Sequence, residues 1–161
     1  MDAMTERLAD IYNYRAVEPG LATSGQPDEE DLAAIAAAGY EAVVNLALHD
    51  DPRYSLADEA GTVRSLNLKY EHIPVIFTEP TYENLNAFFA AMALYRSKRR
   101  WVHCAANKRA STFIGLYLHI VEGHSIESAF ATERSVWEPN PVWAAFKVRM
   151  LATYPPPRAR E

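Results

Sequence analysis

The chain has 161 residues, of which 49% are hydrophobic and 23% are charged, and its formal net charge is −5 at pH 7. This length and balance predict a single domain over residues 1–161, with a core from about 12 to 153 and a frayed tail from 155 to 161. The negative charge argues against a nucleic-acid partner, a single cysteine excludes an internal disulfide, and no run predicts a membrane span or a signal peptide, so a cytoplasmic location is expected.

Short β-like runs alternate with longer helical runs along the chain. In chain order, the predicted elements are a strand over 12–17, a helix over 27–40, a strand over 41–47, a helix over 56–66, a strand over 69–76, a helix over 82–96, a strand over 101–103, and helices over 110–122, 125–137 and 140–154. Ser55 and Thr81 are predicted to cap their helices, while Gly39 and Gly123 are predicted to end theirs. The alternation predicts the α/β class, with a mostly parallel central sheet flanked by helices.

Three loops follow the second, third and fourth predicted strands. They comprise residues 48–54, 77–81 and 104–109. In parallel sheets the ligand-binding loops gather at the carboxyl ends of the strands. We therefore expect these three loops to open on one edge of the sheet.

The third of these loops carries the only cysteine, Cys104, with Arg109 five positions later and a predicted helix directly after it. The first amides of a helix have no intrahelical acceptor and the helix dipole adds positive charge, so a thiolate or an oxyanion is stabilised there. The arginine adds a planar fork that matches two phosphate oxygens. This combination of thiol, free amides and arginine suits displacement at phosphorus through a cysteinyl-phosphate intermediate. The alternative interpretation of Cys104 is a buried structural thiol.

The loop resembles that of the cysteine-dependent protein tyrosine phosphatase superfamily, with His103, Cys104, Ala106 and Ser111 at matching positions. Over roughly residues 12–150, ordered segments are similar to small bacterial phosphatase-like domains of the beta-lactamase-hydrolase-like type. These segments are TSGQP (23–27), VVNL (43–46), YEHIPV (70–75), the cysteine loop and VWEPNPVW (136–143). The resemblance implies a dual-specificity-like fold and metal-independent hydrolysis of a phosphate monoester, with phosphotyrosine among the candidates. It implies no cofactor, and a phosphorylated substrate or a free phosphate-like anion as partner.

The spacing of the loop departs from the usual pattern of the family. Four residues instead of five separate the cysteine from the arginine, so Ala110 occupies the expected arginine position and Asn107 replaces a customary glycine. One step near a helix start rotates a side chain by about 100°. Either the loop is tightened so that Arg109 faces the anion, or Lys108 or Arg109 approaches from another side. Asparagine tolerates the positive φ that glycine would adopt.

The resemblance implies a role for each residue of the loop. Cys104 would attack phosphorus, Arg109 would hold the oxyanion and Ser111 would assist departure of the sulfur. The residues expected to bind the substrate are His103, Ala105, Ala106, Asn107, Lys108 and Ala110. His103 is equally compatible with a satisfied core histidine, Ser111 with a helix cap and Lys108 with a solvated charge.

The proton donor for the leaving group is expected in the loop after the third predicted strand, where the family places an aspartate. This loop offers Glu79 and no aspartate, so Glu79 is the expected general acid. Asp50 and Asp51, from the preceding loop, are the substitutes. Each of the three is also compatible with a plain surface carboxylate.

Two other functions remain open on the sequence. A phosphate-binding module with little or no turnover would tolerate the shifted arginine more readily than a fast enzyme. A rhodanese-like sulfurtransferase also places a cysteine loop between a strand and a helix, often with this shorter spacing. The helix, turn and helix after the loop favour the phosphatase order, and the sequence leaves the oligomeric state open.

Overall fold

The computed structural model of the chain describes residues 2–53 and 55–155. The strands are β1 (Arg15–Glu18), β2 (Leu21–Ser24), β3 (Ala42–Asn45), β4 (Lys69–His72) and β5 (Arg100–His103). The helices are α1 (Ala3–Ala9), α2 (Glu29–Ala37), α3 (Glu59–Ser65), α4 (Tyr82–Leu94), α5 (Lys108–Ile120), α6 (Ile126–Ala129), α7 (Ala131–Val136) and α8 (Pro141–Thr153). Residues 156–161 of the predicted frayed tail lie outside the described residues. None of the helices in the described ranges is long and apolar enough to cross a lipid bilayer.

The five strands form one sheet in the order β1-β2-β5-β3-β4. β2, β5, β3 and β4 run parallel, and β1 pairs antiparallel with β2 at one edge. The predicted α/β class with a mostly parallel sheet is therefore confirmed. β5 occupies the centre, so the cysteine loop leaves the sheet between two neighbouring strands.

Apolar side chains fill both faces of this sheet. Successive residues of a strand point to opposite faces, so Trp101 of β5 joins the cluster that contains Leu32 of α2, whereas Val102 joins the cluster that contains Phe88 of α4 and Phe113 of α5. The first cluster lies under α1, α2 and α3, and the second under α4, α5 and α8. Packing of α5 on the sheet thus fixes the position of the start of α5 relative to the end of β5.

Several predicted boundaries are wrong. Neither α1 nor β2 was predicted, because α1 is a single short segment and β2 contains the polar Thr23 and Ser24 although it is buried throughout. Asp58, not Ser55, caps α3. The predicted helix over 125–137 breaks at Phe130 into α6 and α7.

The side chain of Phe130, at the break between α6 and α7, packs against α5. Its ring lies so close to Gly115 of α5 that a Cβ there would come within 2.3 Å of a ring carbon. The ring therefore packs against the bare backbone of α5, in space that any larger residue at position 115 would occupy.

Candidate active site

Three loops meet at the carboxyl edge of the sheet, as predicted. Asn45 pairs with both His72 and His103, so β3, β4 and β5 end level with one another. The loops that follow these strands, residues 46–58, 73–81 and 104–107, consequently start side by side.

Cys104 directly follows β5 and opens the short turn that leads into α5. The residue is fully buried and belongs to the apolar cluster beneath α4, α5 and α8. Its own N–H donates to Ser24 O at 3.4 Å, which ties the turn to the end of β2. The thiol is thus enclosed at the point where β5 passes into the turn.

The peptide groups of the turn are oriented by hydrogen bonds to their carbonyl oxygens. The oxygen of Cys104 lies 3.3 Å from His103 Nδ1, that of Ala105 accepts from the Gln26 N–H at 3.0 Å, and that of Ala106 accepts from Asn13 Nδ2 at 3.1 Å. Because a trans peptide is planar, the N–H that follows each carbonyl points the opposite way. Among the described residues, none of the N–H groups from 105 to 110 finds a protein acceptor. The turn therefore presents a row of free donors to whatever fills it.

Asn107 is the N-terminal boundary residue of α5, and its backbone is left-handed, with φ at 67°. Its side chain makes no capping bond to α5. Instead, Oδ1 accepts from the Thr23 hydroxyl at 2.8 Å and Nδ2 donates to Asn13 O at 2.8 Å. The asparagine supplies the positive φ expected of a glycine and leaves the first amides of the helix uncapped, which preserves them for an anion.

Arg109 is the second residue of α5, which begins at Lys108 and not at Ala110 as predicted. The residue is 8% exposed, its Nη1 donates to Val75 O at 2.7 Å, and its guanidinium lies 5.9 Å from the centroid of the Phe77 ring. It therefore leans toward the loop after β4. Within the described part of the chain no carboxylate pairs with it, and the rest of its donors are unused. A buried cation without a counter-charge is costly unless an anion accompanies it.

The other predicted residues of the loop have separate positions. The Ser111 hydroxyl is buried and donates to Lys108 O at 3.2 Å, so it does not cap the helix. Ala110 is buried in the core, whereas Lys108 is exposed, with Nζ 5.6 Å from the Trp137 ring centroid. Lys108 thus has the solvated position that the sequence left open.

The three candidate proton donors differ in their surroundings. Glu79 is exposed in the loop after β4, and its N–H closes a turn to Ile76 O at 3.0 Å. Asp50 is exposed as well. Asp51 pairs with Arg53 at 2.8 Å, and the hydrogen bond from Arg53 lowers the pKa of Asp51, which favours the form that cannot donate a proton. Glu79 shares its loop with Val75, the carbonyl partner of Arg109.

His103 has a partner that the sequence did not indicate. Its Nε2 lies 2.7 Å from Oε2 of Glu59, the first residue of α3, and both side chains are fully buried. The other carboxylate oxygen of Glu59 accepts from Gln26 Nε2 at 2.6 Å. His103 is therefore a satisfied buried histidine that also touches the cysteine loop.

The charge of Glu59 predicts a contribution to acid stability. Burial acts to raise the pKa of Glu59, but the charge of His103 and hydrogen bonds from His103 and Gln26 outweigh it and lower the pKa from 4.5 to about 2. A carboxylate with a depressed folded-state pKa stabilises the fold above its unfolded pKa, and this stability disappears as the pH falls through the folded value. At 1.36 kcal/mol per pKa unit, we expect about 3 kcal/mol to be lost between pH 4.5 and about 2.

Urea unfolding across that pH range measures this contribution. The wild-type free energy of unfolding should fall steeply toward low pH, and Glu59→Gln should lose most of that slope. Parallel curves for the two proteins would show that Glu59 is not held as a carboxylate by the fold.

Four residues that hold the loop were given no role from the sequence: Asn13, Thr23, Gln26 and Glu59. Thr23 and Gln26 belong to the TSGQP segment, which was noted only as part of the resemblance. The contacts of these residues with the loop join positions that are 44 to 94 residues apart, so no local pattern indicates them. The TSGQP segment was therefore the one available signal.

A cleft of about 320 Å³ borders the cysteine loop at Ala105. Its other lining residues come from the first loops of the chain and the loop after β3: Tyr12, Gln26, Pro27, Asp28, Pro52, Arg53, Ser55 and Leu56. Tyr12 is 56% exposed, so much of its ring is free to contact a ligand. The cleft can hold a group attached to an anion in the loop.

Glu18, Glu122 and His124 are the group of possible metal ligands in residues 2–53 and 55–155. Glu18 ends β1, where β1 pairs with the start of β2, and Leu21 there pairs with Arg100 at the start of β5. The group therefore lies at the sheet edge opposite Cys104 and has no part in the cysteine loop.

A family model described as DSP-PTPase phosphatase fused to NAD+ kinase matches residues 9–143. The beta-lactamase hydrolase-like protein of Xylella fastidiosa (strain 9a5c) is 34% identical over 106 residues, which are 65% of this chain and 23% of that protein. The chain thus spans about a quarter of the length of the curated relatives that it matches.

Solved structures with the same architecture extend the similarity to nearly the whole chain. A DUF442 protein from Shewanella putrefaciens CN-32 is 31% identical, with a TM-score of 0.82 over 92% of this chain and 97% of that one. The active form of Tk-PTP is 23% identical, with a TM-score of 0.68 over 87% of this chain and 94% of that one. The second likeness shows the fold alone.

Proposed function

Because the chain belongs to the family described as DSP-PTPase phosphatase fused to NAD+ kinase, we propose that it hydrolyses phosphate monoesters without a metal ion, through a cysteinyl phosphate on Cys104. The protein tyrosine phosphatase-like fold supports phosphatase function at the level of the superfamily. The substrate and the covalent intermediate are our inference from the site.

One observation carries the proposal: a buried guanidinium without a carboxylate partner and a row of free amides belong to the same turn into α5. Arg109 is nearly enclosed, and the N–H groups from 105 to 110 have no acceptor in the described part of the chain. Both features cost free energy unless an anion satisfies them. A tetrahedral phosphate offers enough oxygens to accept from the amides and the arginine together.

The proposed reaction has two displacements at phosphorus. The Cys104 thiolate attacks, the bond from phosphorus to the ester oxygen breaks, and Glu79 gives its proton to the leaving oxygen. Glu79, now a carboxylate, takes a proton from a water molecule that attacks the cysteinyl phosphate. The sulfur–phosphorus bond then breaks, with Ser111 assisting departure of the thiolate, and inorganic phosphate leaves.

The cleft beside Ala105 supports an aryl leaving group. Tyr12 and Leu56 offer apolar surface next to the loop, and Arg53 adds a polar edge. An aromatic ring attached to a phosphate in the loop would pack against Tyr12. Phosphotyrosine is therefore the substrate that we would test first.

Turnover of para-nitrophenyl phosphate in the presence of a chelator tests the proposed function. We expect the wild-type protein to release nitrophenol and Cys104→Ser to release none above the background. Equal rates from the two proteins would refute the cysteine mechanism. Circular dichroism of both proteins checks that the variant is folded.

Replacement of Glu79 by glutamine should reveal the general acid. We expect kcat to fall about 10²-fold with an alkyl phosphate, whose leaving oxygen needs a proton, and much less with para-nitrophenyl phosphate, whose leaving group departs as a stable anion. Glu83→Gln is the matched control, because Glu83 is exposed on the first turn of α4. Wild-type rates of Glu79→Gln on both substrates would remove Glu79 from the mechanism.

A phosphate-binding module with little turnover is the second candidate. The bond from Arg109 to the Val75 carbonyl favours a binding module. One guanidinium N–H is occupied by this bond, so it must give the bond up before it can contact the phosphate of the transition state. Tight vanadate binding without hydrolysis would select this function. Sulfur transfer from thiosulfate to cyanide would instead select the rhodanese-like alternative.

A further inference from the structure

Glu59 is a buried carboxylate to which the proposed reaction assigns no step. It begins α3, on the face of the sheet opposite α5, and is 1% exposed. One of its oxygens contacts His103, the residue before Cys104, and the other accepts from Gln26. The backbone N–H of Gln26 in turn holds the carbonyl of Ala105, the residue after Cys104. A single carboxylate therefore reaches the chain on both sides of the cysteine.

The ring of His103 lies between two acceptors. Nε2 faces a Glu59 oxygen at 2.7 Å, and Nδ1 faces the Cys104 carbonyl at 3.3 Å. A carbonyl oxygen can only accept, so Nδ1 donates to the Cys104 carbonyl, and Nε2 and the Glu59 carboxyl share the second contact. The geometry thus holds the His103 ring between the Glu59 carboxyl and the Cys104 carbonyl.

We propose that Glu59 is a positioning residue for the cysteine loop: its carboxylate holds His103 and Gln26, and together these two contacts set the orientation of the peptides that follow Cys104. The Cys104 and Ala105 carbonyls are drawn away from the space that an anion would occupy, so the next N–H groups face into it. The same N–H groups stabilise a thiolate on Cys104.

A role in positioning the loop accounts for the carboxylate that the protein keeps in its interior. A buried ion pair contributes little net stability compared with apolar residues of the same volume, but the loss of one partner leaves the other uncompensated. The other titratable or charged groups that face the pair are Tyr70 on β4, which hydrogen-bonds Glu59, His49 in the loop after β3, and Arg64 beyond Tyr70. None of these replaces Glu59 as a carboxylate partner for His103 in residues 2–53 and 55–155.

The inference rests on the proposed function, but its test does not need turnover. Because Cys104 is the only cysteine, the ultraviolet absorbance of its thiolate, with Cys104→Ser as the blank, reports its ionisation directly. We expect Glu59→Gln, which preserves the shape of the side chain, to move the ionisation midpoint up by about one pH unit. The acidic limb of any measured pH–rate profile should move by the same amount.

Glu133→Gln is the matched control. Glu133 is also a glutamate that is 1% exposed, and it pairs with Lys147 at 2.6 Å and accepts from the Thr112 hydroxyl, but in the described residues it has no contact with the turn from 104 to 107. We expect the midpoint of Cys104 in this variant to equal that of the wild type. A folded Glu59→Gln protein with an unshifted midpoint would overturn the proposal, as would an equal shift in both variants, even if the protein proves to be a phosphatase.

A measurement on the unmutated protein keeps the proposal testable if Glu59→Gln does not fold. Nitrogen-15 NMR of the histidine rings distinguishes protonated from unprotonated ring nitrogens, and His103→Asn assigns the signals. We expect Nδ1 of His103, which faces the Cys104 carbonyl, to carry the proton. An unprotonated Nδ1 would overturn the proposal whether or not the protein hydrolyses phosphate esters.

Discussion

Replacement of Arg109 by alanine is expected to lower kcat/KM for para-nitrophenyl phosphate by about two to three orders of magnitude. Arg109 is the buried cation of the loop, and its unused donors are the only guanidinium donors that the start of α5 offers. Arg109→Lys should recover little of the loss, because a lysine ammonium cannot hold two oxygens in one plane. Steady-state kinetics on the three proteins measure the effect.

The Arg109 prediction has a control in the same kind of substitution. Arg96 is exposed just after α4, at the sheet edge away from the loop, so Arg96→Ala should retain wild-type kcat/KM. Unfolding curves separate a lost phosphate contact from a loss of structure, since Arg109→Ala also removes the bond to Val75 O. A folded Arg109→Ala protein with wild-type kinetics would mean that the shorter spacing has taken the arginine out of the reaction.

Asn107→Ala is expected to destabilise the fold by about 3 kcal/mol and to lower phosphate affinity as well. Alanine at a positive φ costs about 1 kcal/mol, and the lost side chain leaves the buried Thr23 hydroxyl and the Asn13 carbonyl without a partner. Asn107→Gly avoids the backbone cost but also loses the side-chain hydrogen bonds, so its stability should lie between those of Asn107→Ala and the wild type.

Urea unfolding of the three proteins gives the ranking, and phosphate titration gives the affinity. Asn67 offers a control, because it also has a positive φ, 62°, but is exposed and far from the loop. Asn67→Gly should leave phosphate affinity unchanged. If Asn107→Ala and Asn107→Gly are equally stable, the left-handed backbone at residue 107 carries no free-energy cost. If both are as stable as the wild type, the hydrogen bonds of the Asn107 side chain do not stabilise the fold.

The sequence predicted the class of the fold because that class depends on local patterns. Apolar periodicity predicted the alternation of strands and helices, and parallel pairing then brought the three loops to one edge. The resemblance to the cysteine-dependent phosphatase superfamily is confirmed by the family model and by the solved relatives. The Thr81 cap is also confirmed, as one half of a capping box with Asn84.

The partners of the loop could not be predicted because they depend on packing between distant segments. Nothing near Glu59 in the sequence indicates that its carboxylate meets His103, and the bond of Asn107 to Thr23 depends on β2, a strand that the pattern did not show. The start of α5 was also set too late. An earlier start makes Arg109 a helical residue whose side chain reaches Val75, an outcome that spacing alone left open.

The central claim is that Cys104 carries the phosphoryl group during turnover. The most direct measurement is an acid quench of the protein during hydrolysis of a phosphate ester, followed by mass spectrometry of the peptide that contains Cys104. We expect a phosphate adduct on that cysteine in the wild-type protein and none in Cys104→Ser. Steady turnover with no adduct on Cys104, or with an adduct on another residue, would contradict the account.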